Sequence, residues 1–203
     1  MEPPGQPRAS IAYLGHTRLA GRLILTPLGA RLESKAEMTT LRDLTAQDLD
    51  EVVRWRNTSE VNRYLSNRVK TKSDAIEWFH DVKSDPNNLL MGIVQDDRLV
   101  GYCIVENVDT QNRKCEVGII IGLPQQWGKG IAMSVMKELL KYCFNELSLH
   151  RVLAVIARGN RRSEQLFRKM GFRHEGTLRD ATKIRGHFTD LLCYSILETE
   201  YKK

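Results

Sequence analysis

The chain has 203 residues, enough for one domain that buries its own apolar core, with room for a short appendage. Apolar residues make up 41% and charged residues 28%, which excludes disorder throughout, and no apolar stretch approaches the length of a membrane-spanning helix. The net charge of +6 tilts the chain toward an anionic ligand, but no basic run is dense enough for a nucleic-acid arm.

Residues 1–37 open with Met1-Glu2-Pro3-Pro4-Gly5 and show no sustained helical or strand period. They hold four arginines and a lysine against three glutamates, without the long apolar region of a secretory signal. They are expected to be a flexible leader or extension, with a targeting role as the alternative. A domain over 38–203 is expected to start at Met38-Thr39-Thr40-Leu41.

From there the periodicity is legible. A short strand at 41–44 leads into an amphipathic helix over 46–56, marked by Leu49, Val52, Val53 and Trp55. A second short helix is expected at 60–65. Ser73 is the expected cap of a helix over 74–82, which Pro86-Asn87-Asn88 ends. Strands at 89–95 and 98–108 join at Asp96-Asp97, and a strongly apolar strand follows at 114–122. The longest helix is expected over 128–147, where Ile131, Val135, Leu139, Cys143 and Leu147 recur every four residues. Then come a β-branched strand at 151–157 and a helix over 160–170 that stops at Gly171. Strands at 172–178 and 188–197 form a last antiparallel pair. This order argues for an α/β domain with a mixed or mostly antiparallel sheet and helices on its faces.

Cys103, Cys115, Cys143 and Cys193 sit in apolar segments without C-x-x-C spacing and read as reduced thiols of a cytoplasmic protein. No histidine pair has metal-ligand spacing, so no metal is expected.

The chemistry concentrates where the apolar strand at 114–122 runs through Pro124-Gln125-Gln126-Trp127-Gly128-Lys129-Gly130-Ile131-Ala132 into the long helix. Glycines there let backbone N–H groups converge on one point, and the helix N-terminus favours negative charge. Such a turn suits a phosphate or pyrophosphate, to which Lys129 adds a cation. Spacing alone leaves open a turn that binds nothing. The dinucleotide pattern is incomplete, since Met133 stands where its last glycine would be, and the G-K-S/T ending of a P-loop is missing.

Gln125-x-x-Gly128-x-Gly130-x-Ala132 resembles the pyrophosphate loop of the GNAT superfamily of acyl-CoA-dependent N-acetyltransferases. Asn160-x-x-Ser163 and Arg168-Lys169-Met170-Gly171-Phe172 resemble the segment after that family's fifth strand. Arg54-Trp55-Arg56-Asn57 with Glu60-Val61, and Glu175-Gly176-Thr177-Leu178-Arg179, resemble one branch of it. That branch contains ribosomal-protein N-terminal, spermidine and nucleotide-linked amino-sugar acetyltransferases. The resemblance covers about 39–200 and implies a GNAT fold, its mixed, mostly antiparallel sheet splayed between strands four and five. It also implies acetyl-CoA as cosubstrate and direct acetyl transfer to a primary amine in a ternary complex.

By the same resemblance, the main chain of Val117, Gly118, Ile119 and Ile121 binds the pantetheine arm and polarises the thioester carbonyl. Gln126, Trp127, Gly128, Lys129, Gly130, Ile131 and Ala132 hold the pyrophosphate, while Asn160 and Ser163 lie near the sulfur. Many members carry a tyrosine where this chain has Phe167, which cannot donate a proton; Ser163 is the substitute, its hydroxyl able to hydrogen-bond the thiolate. Glu116 is the candidate general base, directly or through water, because an unpaired carboxylate on an apolar strand is expensive; a salt-bridged strand residue is the alternative. Glu175 is the second choice. Arg54, Trp55, Arg56 and Asn57 are candidates for the acceptor pocket, or for a helix end that anchors a loop. The acceptor is expected to be a protein N-terminus or a nucleotide-linked amino sugar, which the basic residues Arg54, Arg56, Arg63 and Arg68 suit better than a polyamine. A polyamine or amino-antibiotic acetyltransferase and a non-catalytic acyl-CoA-binding module are the alternatives. No nucleic-acid or membrane partner is expected, and the chain is expected to be a monomer or homodimer.

Overall fold

The computed structural model describes residues 31–32, 39–65 and 69–201. The expected leader lies outside them apart from Arg31–Leu32, a two-residue strand; Met38 and Arg68 lie outside them as well. Seven longer strands are β1 (Thr39–Asp43), β2 (Leu89–Gln95), β3 (Arg98–Asp109), β4 (Lys114–Ile121), β5 (Arg151–Ala157), β6 (Arg173–Ile184) and β7 (His187–Leu197). The helices are α1 (Leu49–Asn57), α2 (Lys72–Ser84), α3 (Ile131–Lys141), α4 (Arg161–Lys169) and a final turn, α5 (Glu198–Tyr201).

The strands form one sheet in the order β1-β2-β3-β4-β5-β7-β6, with Arg31–Leu32 on the outer edge of β1. Every pairing is antiparallel except β4 with β5. The helices cover both faces, as the fold class implied. On one face Val52, Trp55 and Val82 of α1 and α2 pack with Leu44, Leu90 and Tyr102. On the other, Val135, Met136 and Leu139 of α3 and Phe167 of α4 pack with Ile93, Cys103, Val117, Val152 and Tyr194. Because both faces are covered, β2 reads as a continuous apolar run rather than an alternating one. Each such side chain taken from water contributes about 1.5–3 kcal/mol.

Three local expectations are corrected. The α2 cap is Thr71, not Ser73: its hydroxyl accepts from the Asp74 N–H, and the Asp74 carboxylate accepts from the Thr71 N–H. The segment at 60–65 holds only a 3₁₀ turn, Asn62–Tyr64. The long helix is α-helical only to Lys141 and continues as a π turn over Tyr142–Glu146. That wider turn carries Phe144 onto the Tyr201 ring, centroids 4.9 Å apart, and Cys143 to within 3.7 Å of the Cys115 thiol.

Candidate active site

The sheet opens between its two parallel strands. β4 and β5 share a register only at Lys114↔Arg151, Cys115↔Val152 and Glu116↔Leu153. Beyond that point β4 keeps its ladder with β3 as far as Ile121, and β5 keeps its ladder with β7 as far as Ala157. Each strand is held from its outer side while the two part, so the edge of β4 from Val117 onward faces a gap instead of a partner strand.

A cavity of about 840 Å³ lies at this opening, within the range of cofactor sites. Ile119 and Ile121 of β4 line it, as do Trp127, Gly128, Gly130, Ile131 and Ala132 of the following turn and helix. Asn160 and Ser163 at the head of α4 line it as well. Val117 instead packs into the α3-side core, and Gly118, Gln126 and Lys129 lie off the lining. Gln126 sits in the 3₁₀ turn Pro124–Gln126 with its Oε1 buried and unpartnered; Lys129 is exposed.

The turn fits a phosphate-bearing group. Gly128 and Gly130 have φ of +79° and +88°, and a Cβ on either would meet nothing within 4 Å. Glycine is therefore needed for the backbone conformation, and the face it leaves is open. Gly130 caps α3, whose first N–H groups have no partner within the helix. α4 begins at the same cavity, with Asn160 Oδ1 accepting from the Ser163 N–H at 3.3 Å. The Trp127 indole N–H donates to the Ile121 carbonyl at 2.8 Å and braces the turn against the end of β4. Arg162 lies over the Trp127 ring at 4.3 Å. Arg63, Arg161, Arg162 and Lys169 line the cavity against one carboxylate, Glu60. Two helix N-termini and the three α4 cations, Arg161, Arg162 and Lys169, thus give a field that suits a pyrophosphate.

Glu116 faces away from the α3-side core, since its neighbours Cys115 and Val117 point into that core and side chains alternate along a strand. It stands opposite Glu106 in the β3–β4 ladder and closes the last register pair with β5. Burial, and then the Glu106 carboxylate, push its carboxyl up to about 7, although an Asn107 side-chain hydrogen bond opposes the shift. Glu116 lies at the apex of the gap rather than on the cavity lining. Glu175 is held differently. Arg151 pairs with it through both carboxylate oxygens, Ser195 Oγ donates to it at 2.6 Å, and its carboxyl stays below the usual range.

The α1 candidates do not line the cavity. Trp55 is 1% exposed and packs over Gly122, Arg54 pairs with Glu51 at 2.9 Å, and Arg56 donates to the Tyr102 hydroxyl at 2.8 Å. The Asn57 amide donates to the Val53 and Lys70 carbonyls. Phe167 is also core, edge-on to Phe172 with centroids 4.9 Å apart. The cavity wall on that side comes instead from Glu60, Val61, Arg63, Tyr64 and Leu65, and Tyr64 is the one phenol among the described lining residues. The sequence reading did not single out Tyr64, Arg161 or Arg162; N–R–R–S at a helix start was the available signal for the two arginines.

The splayed sheet with a glycine turn and two helix N-termini at its mouth makes a cleft suited to a phosphate-bearing ligand. The family model described as "Acetyltransferase (GNAT) domain" matches residues 39–173, and the chain belongs to that family of N-acetyltransferases, which use acetyl-CoA as cosubstrate. It is 30% identical over 176 residues to YdaF of Bacillus subtilis (strain 168), which carries the name of a ribosomal N-acetyltransferase, covering 85% of this chain and 92% of that protein. It is 21% identical to the acetyltransferase PseH of Campylobacter jejuni, covering 67% and 83%. A crystal structure of spermidine N-acetyltransferase from Vibrio cholerae with CoA and spermine superposes with a TM-score of 0.72 at 26% identity, covering 81% and 98%. Among the described residues no helix is long and apolar enough to cross a membrane, and no cluster of His, Cys, Asp or Glu is placed to hold a metal ion.

Proposed function

We propose that the chain acetylates the α-amine at the N-terminus of a protein, with Glu116 as general base. Acetyl-CoA supplies the acyl group activated as a thioester. The N–H groups of Gly128, Gly130, Ile131 and Ala132, with Arg161, Arg162 and Lys169, would hold its phosphates. The β4 main chain from Val117 to Ile121, free of β5, would run beside the pantetheine arm and polarise the thioester carbonyl. Ser163 would hydrogen-bond the departing sulfur, and Asn160 would keep the head of α4 in place. Glu116 would take the amine proton, directly or through one water.

The observation that carries this reading is the placement of Glu116, a largely buried carboxyl opposite Glu106 at the point where β4 and β5 part, raised to about 7. An α-amine titrates near 7.7–8.0, so passing its proton to such a base is nearly balanced, whereas a lysine-like alkylamine near 10.4 is disfavoured by a further factor of about a few hundred. A polyamine's several cations would need clustered carboxylates, and Glu60 is the one acid among the described lining residues, which supports an α-amine over a polyamine. A nucleotide-linked amino sugar is the second reading, favoured by Arg63 on the cavity wall. Within either reading the chain works in the cytoplasm, where its four thiols stay reduced.

The test is thiol release from acetyl-CoA. The acceptors are peptides with free α-amines, the same peptides blocked at the α-amine but carrying lysine, nucleotide-linked amino sugars, spermidine and amino-bearing antibiotics. Release with the free peptides alone is expected. Release with spermidine alone would overturn the reading, and acetyl-CoA binding without release to any amine would favour a non-catalytic module.

A further inference from the structure

The β6–β7 hairpin runs far beyond the part of the sheet it helps to build. Its ladder continues past a register shift between Leu178 and Thr182, where Asp180 adopts φ of 51° and its N–H donates to Asp190 Oδ1 at 3.0 Å. Such a bulge bends a ribbon. The distal arm, Thr182↔Thr189 to Ile184↔His187, ends in the two-residue turn Arg185-Gly186. There Arg185 Nη2 donates to the Ser59 carbonyl at 2.9 Å and to Asn62 Oδ1 at 3.0 Å, across 126 and 123 positions of sequence. Those acceptors sit in the segment after α1 that walls the cavity with Glu60, Arg63 and Tyr64.

Two further observations mark this contact as built. Arg185 and Gly186 have φ of 51° and 84°, the geometry in which a tight hairpin turn prefers Asn-Gly. An arginine in the left-handed region is an unfavourable choice for the turn itself, so its presence points to the contact that its guanidinium makes. In addition, Ile184 beside the turn is only 8% exposed, while Phe188, paired with Lys183 on the opposite face of the ribbon, is 63% exposed.

We propose that Arg185 is a positioning residue for the acceptor side of the site. It ties the hairpin tip to the Ser59–Asn62 turn and closes the rim, so that Glu60, Arg63 and Tyr64 stay on the cavity wall. The latch does not rest on the proposed acceptor.

The test uses Arg185→Asn, which keeps the turn geometry and removes the guanidinium. Amide hydrogen exchange on the acceptor-free protein is expected to quicken about tenfold at 59–65 and to stay unchanged in α3 and β4. With the acceptor that the panel identifies, KM is expected to rise about threefold or more, with acetyl-CoA affinity held. Unchanged exchange at 59–65 overturns the latch. Faster exchange with unchanged acceptor KM overturns the positioning role. Should the peptide panel fail, the exchange result still decides the latch on its own.

Discussion

Glu106 and Glu116 stand opposite each other in the antiparallel ladder of β3 and β4, two carboxylates on one face where β4 is about to leave β5. Burial, and then the Glu106 carboxylate, favour the protonated form of Glu116, whose carboxyl is raised to about 7. A carboxyl raised on folding binds its proton more tightly in the folded than in the unfolded chain. Folded stability is therefore unaffected below the ordinary carboxylate range, falls as pH rises toward 7, and stays reduced above it. Glu116→Gln should leave stability unchanged near pH 4 and raise it at pH 8, by about 1–3 kcal/mol. Denaturant titrations at the two pH values check this; a gain at pH 4 that vanishes at pH 8 would reverse the sign.

The glycine turn separates a binding effect from a folding effect. A side chain at Gly128 meets no neighbour but must adopt positive φ, which costs about 1–2 kcal/mol. Gly128→Glu also sets a carboxylate where the phosphates are expected. Acetyl-CoA affinity should fall at least about tenfold, or 1.4 kcal/mol, with only that modest loss of stability. Calorimetric titration reads the first and thermal melting the second; undiminished affinity would remove the phosphate assignment.

Trp55 and Gly122 form one packing unit, because a Cβ on Gly122 would fall inside the Trp55 indole. Trp55→Ala should destabilise by about 3–5 kcal/mol. Gly122→Ala should also be destabilising, and the double variant less so than the two losses together. Additive losses would mean that the indole does not rest on Gly122.

Phe167→Tyr restores the residue that many family members carry. Here that position is 4% exposed and packed on Phe172, so the added hydroxyl enters the core. The expected result is a loss of about 1–3 kcal/mol in stability with kcat unchanged. A rise in kcat would mean that the ring reaches the departing sulfur.

Much of this was legible in the chain because it is local. Alternation and continuous apolar runs marked β2 to β5, four-residue recurrence marked α3, and Glu116 stood out as a carboxylate inside an apolar strand. Thr71 and Ser73 both stand at the start of α2, one just before it and one in its first turn, and either hydroxyl suits a cap. Only Thr71 has an acid at the third helical position, which makes the box reciprocal. The distal half of the last hairpin was missed because its bulge breaks the alternation at 179–181. The cavity wall was hidden for a different reason. Trp55 lies on the apolar stripe of α1 whether it packs in the core or meets an acceptor, and periodicity cannot separate the two. Glu60 and Tyr64 reach the cavity through a turn held in part by Arg185, a relationship across more than a hundred residues with no sequence signature.

The central claim is that Glu116 accepts the proton of the acceptor amine. The most direct measurement is the pH dependence of kcat/KM for thiol release with an α-amine peptide, in the wild type and in Glu116→Gln. The account predicts a wild-type rate that rises through pH 7 as the carboxyl ionises. It predicts a loss of about a hundredfold or more at pH 8 in the variant, with acetyl-CoA affinity retained. A variant that keeps the wild-type rate and the same limb near pH 7 would contradict it.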